Sequence, residues 1–298
     1  MGTSRSVGRS VGVAITLALS ACGGGSPGSS ASTATTSSPT PTSATSTSRT
    51  SSTTSTTSPT STTSTTSTSS TTSSTSPTPS TTTTAALPAR LRGRVITRIP
   101  TTRKVVALTF DAGASADGVA PILRTLKQLD VPASFFLTGD FAQEHPDGAS
   151  HLAAYGRVGN HTSDHPHLTT LTTAQVRGQV TRARTTIRGA TGEDPKPFFR
   201  FPFGEHDART LGVVNDLGYA AIGWTVDSLG WKGTSGGQSA DSVVARVLRA
   251  AVPGEIVLMH VGANPDDGTT LDADALPDVI AGLRGQGYGF VTLDALLG

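Results

Sequence analysis

The chain of 298 residues has one cysteine, Cys22. That excludes an internal disulfide framework and a zinc site built on thiolates. Acidic residues are missing from the amino-terminal third: all 21 Asp and Glu lie beyond Lys104. Charged residues make up only 15% and hydrophobic residues only 35%, whereas roughly 25% charged is usual for globular chains. The apolar run Val11–Leu19 is too short to cross a bilayer as a stable helix. The net charge of +2 hides a split, because from Lys104 onward 15 Lys and Arg meet 21 acids. The later part is therefore acidic, which excludes a basic nucleic-acid-binding domain.

One segment explains the shortfall in charge and apolar residues. Between Ala31 and Thr84, 45 of 54 residues are Ser or Thr. Such a stretch cannot bury enough apolar surface to offset its ordering entropy, so it is expected to stay disordered. A second globular domain is excluded there. The 214 residues after Thr84 suffice for one domain with a sizeable core.

The amino terminus reads as an address. Arg5 and Arg9 precede the apolar run, which ends in Leu19-Ser20-Ala21-Cys22. This pattern resembles a bacterial lipoprotein signal, which implies lipid on Cys22, cleavage before it and anchoring to the cell membrane. The expected organisation is a signal peptide over 1–21, a Ser/Thr/Pro-rich tether with a basic arm over 22–94, and a folded domain over 95–298. Over about 60 residues a flexible tether has an end-to-end distance of roughly 40–45 Å. Arg90, Arg92, Arg94, Arg98 and Arg103 make up the basic run. It reads as a solvated arm or as a contact for an anionic surface.

Beyond the arm, apolar runs alternate with amphipathic stretches. The runs are Val105–Phe110, Ala133–Thr138, Arg157–Asn160, Phe198–Phe201, Tyr219–Val226, Glu255–His260 and Tyr288–Leu293. Helical periodicity marks Ala116–Leu129, the stretch from Thr172 to Ile187, Asp207–Leu217, Asp241–Ala251 and Asp274–Leu283. Thr172 and Gln175 read as a capping box, with Gly189 near that helix's end. Seven strands alternating with helices predict an α/β fold, either a parallel barrel or an open sheet. In either, the carboxyl ends of the strands share one face. Asp111, His161, His165, Arg200, Asp227 and His260 all fall at or near such ends, so they are expected to converge.

Each of these residues also has a plainer reading. Asp111, beside Ala112-Gly113, is a site carboxylate or a turn aspartate. His161 and His165, four apart, fit a shared divalent ion, zinc or another first-row metal. Arg200, among Phe198, Phe199, Phe201 and Phe203, is either buried against a carboxylate, with Asp111 as the candidate, or snorkels to solvent. Trp231 lines a pocket or belongs to the core. His260 is a satisfied core residue or an acid–base group at the barrel mouth.

Five motifs in order then carry a family resemblance. Thr109-Phe110-Asp111-Ala112-Gly113, His161-Thr162-Ser163-Asp164-His165-Pro166, Arg200-Phe201-Pro202-Phe203-Gly204, Asp227-Ser228-Leu229-Gly230-Trp231 and Leu258-Met259-His260-Val261 occur in sequence. Together they resemble the NodB homology domain of polysaccharide deacetylases, carbohydrate esterase family 4, from about Val105 to Leu293. The resemblance implies a distorted parallel (β/α) barrel of about seven strands and a metal-dependent N-deacetylase. It implies Asp111 as base, His260 as acid and Arg200 holding Asp111 ionised. His161 and His165 would be the metal ligands, with zinc the first choice and cobalt an alternative. Phe203, Asp227, Trp231 and Leu258 would line the substrate pocket.

Three departures from the family pattern remove carboxylates: Ala112 at a metal-ligand position, Gly230 at the position that tunes the acid, and Val261 after the catalytic histidine. Weaker metal binding is expected, with Asp164 or Glu205 as possible replacements and Asp227 as a possible helper of His260. The expected activity is removal of N-acetyl groups from a cell-wall or surface glycan, peptidoglycan first, by a membrane-anchored monomer. The alternatives are a catalytically weak glycan-binding module and an amidase for a small non-sugar substrate.

Overall fold

The computed structural model describes residues 87–113 and 115–298. The signal peptide, Cys22 and the Ser/Thr/Pro-rich tether lie outside the described residues. Among the described residues, the nine strands are β1 Val95–Ile96, β2 Val105–Ala112, β3 Ala133–Leu137, β4 Arg157–Asn160, β5 Phe198–Phe199, β6 Ala220–Ile222, β7 Val226–Asp227, β8 Glu255–His260 and β9 Gly289–Phe290. The α-helices among the described residues are α1 Val119–Leu129, α2 Gly139–Glu144, α3 Pro146–Tyr155, α4 Thr173–Thr191, α5 Ala208–Asp216, α6 Ala240–Ala250 and α7 Leu271–Gly285.

The sheet runs β1-β6-β5-β4-β3-β2-β8-β7, with β9 beside β2. Its strand pairs are all parallel, from β1–β6 through β7–β8. Parallel strands covered on both faces read as continuous apolar runs; β2 and β3 are buried at every position. The segment just after β1 is drawn toward β7 and β8 at the other side of the sheet. Arg98 bridges Glu255 in antiparallel fashion, and the Thr225 hydroxyl donates to the Thr97 carbonyl at 2.7 Å. The result is the curled, barrel-like parallel sheet that the sequence pattern predicts.

The helix ends follow local chemistry. Thr172 and Gln175 form the expected capping box of α4. That helix runs past Gly189 and stops at Gly192, which takes the left-handed conformation (φ 76°) that closes a helix. Asp207 and Ser239 cap α5 and α6.

The arm packs on the domain through its leucines while its five arginines stay exposed. Leu87 and Leu91 are buried, in one apolar cluster with Ile96 and Leu296. The Arg90 guanidinium donates to the carbonyls of Leu296 and Leu297, and Arg92 pairs with Asp216 at 3.2 Å. The leucines interleaved with the arginines supply the burial that a solvated arm lacks.

At the amino-terminal end of β8, Glu255 is fully buried. Neither carboxylate oxygen has a hydrogen-bond partner among the described residues. Burial pushes its pKa up to about 7.

Candidate active site

The strand ends deliver the predicted groups to one cleft of about 560 Å³. Asp111, His161, His165, Phe203, Asp227, Trp231, Leu258 and His260 line it. Arg200 lies fully buried against Asp111. It follows β5 directly, because that strand ends at Phe199.

Register sets the centre of the site. Asp111 and His260 are Cα partners on the neighbouring parallel strands β2 and β8, and Asp227 is the partner of Leu258 one strand further on. Adjacent strands lie about 4.8 Å apart. The carboxylate and the imidazole are thus held side by side by backbone hydrogen bonds.

Arg200 donates to Asp111 Oδ1 at 2.7 Å, to the Thr109 hydroxyl at 2.9 Å and to the Gly223 carbonyl at 3.2 Å. Its guanidinium also stacks 4.2 Å from the Phe136 ring centroid. A buried guanidinium tolerates its desolvation only with partners of this kind. Burial opposes ionisation of Asp111, but Arg200, His161 and His260 together outweigh it and hold the carboxyl below its ordinary pKa.

The two histidines sit on a loop rather than a helical turn. Thr162 (φ 71°) and His165 (φ 56°) both take left-handed backbone, a costly state for a β-branched residue. Side chains hold it in place. Asn160 Oδ1 accepts the Thr162 N–H at 2.9 Å, and the Thr162 hydroxyl accepts the His165 N–H at 3.1 Å. The imidazoles meet edge to face at 4.8 Å between centroids. His161 Nδ1 lies 2.9 Å from the Arg200 carbonyl. A carbonyl only accepts, so Nδ1 carries the proton. His161 Nε2 then turns its lone pair toward Asp111 Oδ2 at 3.3 Å. Burial lowers the pKa of His161 and brings that of His165 down to about 4, so both rings are neutral near pH 7.

Neutral imidazoles with a backbone carbonyl fixing the tautomer are the donors a divalent ion takes. A lone pair facing a carboxylate likewise favours a cation. The protein therefore fits a metal with two imidazole bonds. A third protein ligand is not in place: among the described residues, no group of three His, Cys, Asp or Glu side chains could hold a metal ion. Ala112 is fully buried. Neither expected substitute joins the histidines: Glu205 binds His167 Nδ1 at 2.8 Å, and Asp164 is exposed on the loop. Val261 is fully buried in the main apolar core.

His260 shows what the motifs did not. Its backbone N–H donates to Asp272 Oδ2 at 2.8 Å, and its Nδ1 lies 3.3 Å from the same oxygen. Asp227 does not take that place. Its Oδ1 accepts the Leu229 N–H at 2.9 Å, and Oδ2 lies 3.5 Å from Trp231 Nε1. Burial opposes charge on His260. The hydrogen bond and charge of Asp272, helped by Asp111 and Asp227, outweigh burial and raise its pKa. Asp272 lies in the first turn of α7, where an acid is ordinary, so nothing in the sequence marks it. The one available hint is negative: the motif that ends in Trp231 has Gly230 where the family pattern has a carboxylate.

Phe203 and Trp231 form the rim. They are 54% and 47% exposed, and His167 stacks on Phe203 at 4.2 Å. Exposed aromatics at the mouth of the cleft suit the apolar face of a sugar.

A buried carboxylate–guanidinium pair, two neutral imidazoles and a carboxylate-held histidine at one end of a parallel barrel define a polysaccharide deacetylase site, and the chain belongs to that family. The family model described as polysaccharide deacetylase matches residues 98–222. Among similar proteins is a peptidoglycan-N-acetylglucosamine deacetylase of Bacillus cereus, 34% identical over 198 residues, covering 66% of this chain and 70% of that one. The peptidoglycan-N-acetylmuramic acid deacetylase PdaA of Bacillus subtilis is 30% identical, with 66% and 73% covered. Among solved structures, a carbohydrate esterase family 4 pseudoenzyme from Bacillus anthracis matches with a TM-score of 0.62. It is 31% identical, and 69% of each chain is covered. A mutant of that pseudoenzyme has restored enzymatic activity.

Proposed function

We propose that this chain hydrolyses N-acetyl groups on a glycan of the cell envelope, with peptidoglycan-type N-acetylhexosamine as the first choice of substrate. The observation that carries the reading is the Asp111–His260 register pair, with each member held by its own buried partner, Arg200 and Asp272. Such a pair suits amide hydrolysis, which needs a proton taken from water and one delivered to nitrogen.

The roles follow from the contacts. Arg200 occupies Asp111 Oδ1, which leaves Oδ2 facing the cleft to receive a proton from the attacking water. Asp272 occupies His260 Nδ1, which leaves Nε2–H to protonate the departing amine as the C–N bond breaks. The products are acetate and a free amino sugar. Trp231 and Phe203 hold the sugar at the rim, and Leu258 contributes apolar wall for the acetyl methyl. His161 and His165 would hold a divalent ion, zinc first and cobalt or another first-row metal next. When bound, it supplies Lewis-acid polarisation of the amide carbonyl. The lipoprotein-like signal supports an extracytoplasmic location, with lipid on Cys22 anchoring a monomer near the wall.

The test is acetate release from peptidoglycan and from N-acetylglucosamine oligomers, with and without added zinc or cobalt. Release that disappears in Asp111→Asn supports the deacetylase. A second reading, a glycan-binding module with little turnover, draws support from the two-imidazole donor set and from the similarity to a pseudoenzyme. Glycan binding without release in any metal would establish that reading instead.

A further inference from the structure

Gly230 opens the short 3-10 turn Gly230–Lys232 and is buried. A Cβ on it would lie 2.4 Å from Asp272 Oδ1, 2.5 Å from its Cγ and 2.8 Å from its Oδ2. The Asp272 carboxyl therefore fills the volume that any side chain at position 230 would enter. Positive φ is not what requires glycine here, since Gly230 is absent from the left-handed residues. The requirement is space, and one carboxyl takes it.

That carboxyl is the one on His260. We propose that Asp272 is the positioning residue for the proton donor His260, and that Gly230 is the residue that admits it. The carboxylate reaches the imidazole from the first turn of α7 instead of from the turn that carries Trp231. Oδ2 fixes the residue twice, through the backbone N–H at 2.8 Å and the ring at 3.3 Å. Oδ1 is buried with no hydrogen-bond partner among the described residues. The helix amino terminus favours the anion electrostatically. The side chain is almost fully buried, so solvent does not screen its charge.

Other groups also face His260. Asp111 on β2 and Asp227 on β7 act on it through charge, and Trp231 packs edge-on at 6.4 Å. His161 and His165 across the cleft are neutral. Among the described residues only Asp272 hydrogen-bonds the ring, and this contact selects the tautomer with Nδ1–H and leaves Nε2 toward the cleft. Ring orientation needs no assumption about substrate. The consequence for turnover rests on the deacetylase reading.

The experiment uses the full chain and two readouts. The first is NMR titration of the His260 ring with 13C-labelled histidine. The second is the pH profile of kcat for acetate release. In Asp272→Asn the His260 midpoint should fall by about one unit or more, the loss of a hydrogen-bonded carboxylate partner. The alkaline limb of kcat should move with it, and kcat at pH 7 should fall roughly tenfold or more with KM little changed. Asp272→Ser should behave alike. Adding Gly230→Asp to Asp272→Ser should return both the midpoint and the limb, because the carboxylate then comes from the other side of the same volume. Gly230→Asp alone should be impaired by the clash.

A His260 midpoint that stays put in Asp272→Asn overturns the proposal, and so does a double variant no better than Asp272→Ser. If the unsubstituted protein releases no acetate, the deacetylase reading fails while the titration still decides the role of Asp272.

Discussion

Asp111 and Arg200 share a hydrogen-bonded ion pair at 2.7 Å in which the arginine has no solvent contact. Removing one partner of such a pair strands the other charge. Arg200→Met should destabilise the domain by about 3–5 kcal/mol, measured by urea denaturation at pH 7. The carboxyl's depressed pKa gives the sign with pH: the pair stabilises above the ordinary carboxyl value of 3.8 and the effect is lost as pH falls below it. The difference between variant and parent should therefore shrink on acidification, and a difference independent of pH would defeat this account.

Ala112→Asp would place a carboxylate at a fully buried position one residue after Asp111 on β2. Without metal the new charge lacks a partner. With metal it adds an anionic ligand. The variant should bind zinc at least tenfold more tightly, measured by competition with a chelator. Its Tm should rise more on zinc addition than that of the parent, by linkage. Equal zinc affinities would show that position 112 does not reach the ion.

Glu255 should make the domain less stable as pH rises. Its pKa is pushed up to about 7 from an ordinary 4.5, so between these values the folded chain holds a proton that the unfolded chain has released. The stabilisation is complete below pH 4.5 and lost as pH rises through 7. Glu255→Gln should match the parent at pH 4.5 and exceed it by about 2 kcal/mol at pH 8. Denaturation at the two pH values tests this, and a constant difference would contradict it.

Trp231→Ala and Phe203→Ala remove exposed rim aromatics. Stability should change by less than about 1 kcal/mol. KM for glycan should rise severalfold, whereas turnover of a small N-acetyl substrate should stay near that of the parent. A large Tm loss would place these rings in the core after all.

The chemistry was more legible in the sequence than the connections. Asp111, His161, His165, Arg200, Asp227 and His260 could be collected from strand ends because parallel topology puts those ends on one face, whereas Phe203 and Leu258 came with the family resemblance. The partner of Arg200 could be inferred because few carboxylates share that face. Strands β1 and β7, of two residues each, carry too little periodicity to register. The short α2 was hidden because its start is set by the Thr138 side chain accepting the Phe141 N–H, a cap recognisable only once β3 is known to end there. Asp272 stayed hidden for a different reason. Its role depends on the space left by Gly230, which is far away in sequence, and a missing side chain gives no positive signal.

The register of β2 against β8 has a consequence for selectivity. Asp111 and His260 are spaced by the sheet repeat, so the separation of their backbones cannot widen without breaking ladder hydrogen bonds. The centre is in effect a gauge of fixed width, indifferent to what extends beyond it. Discrimination between glycans must then be exercised at the rim, in loops that can be exchanged without touching the gauge.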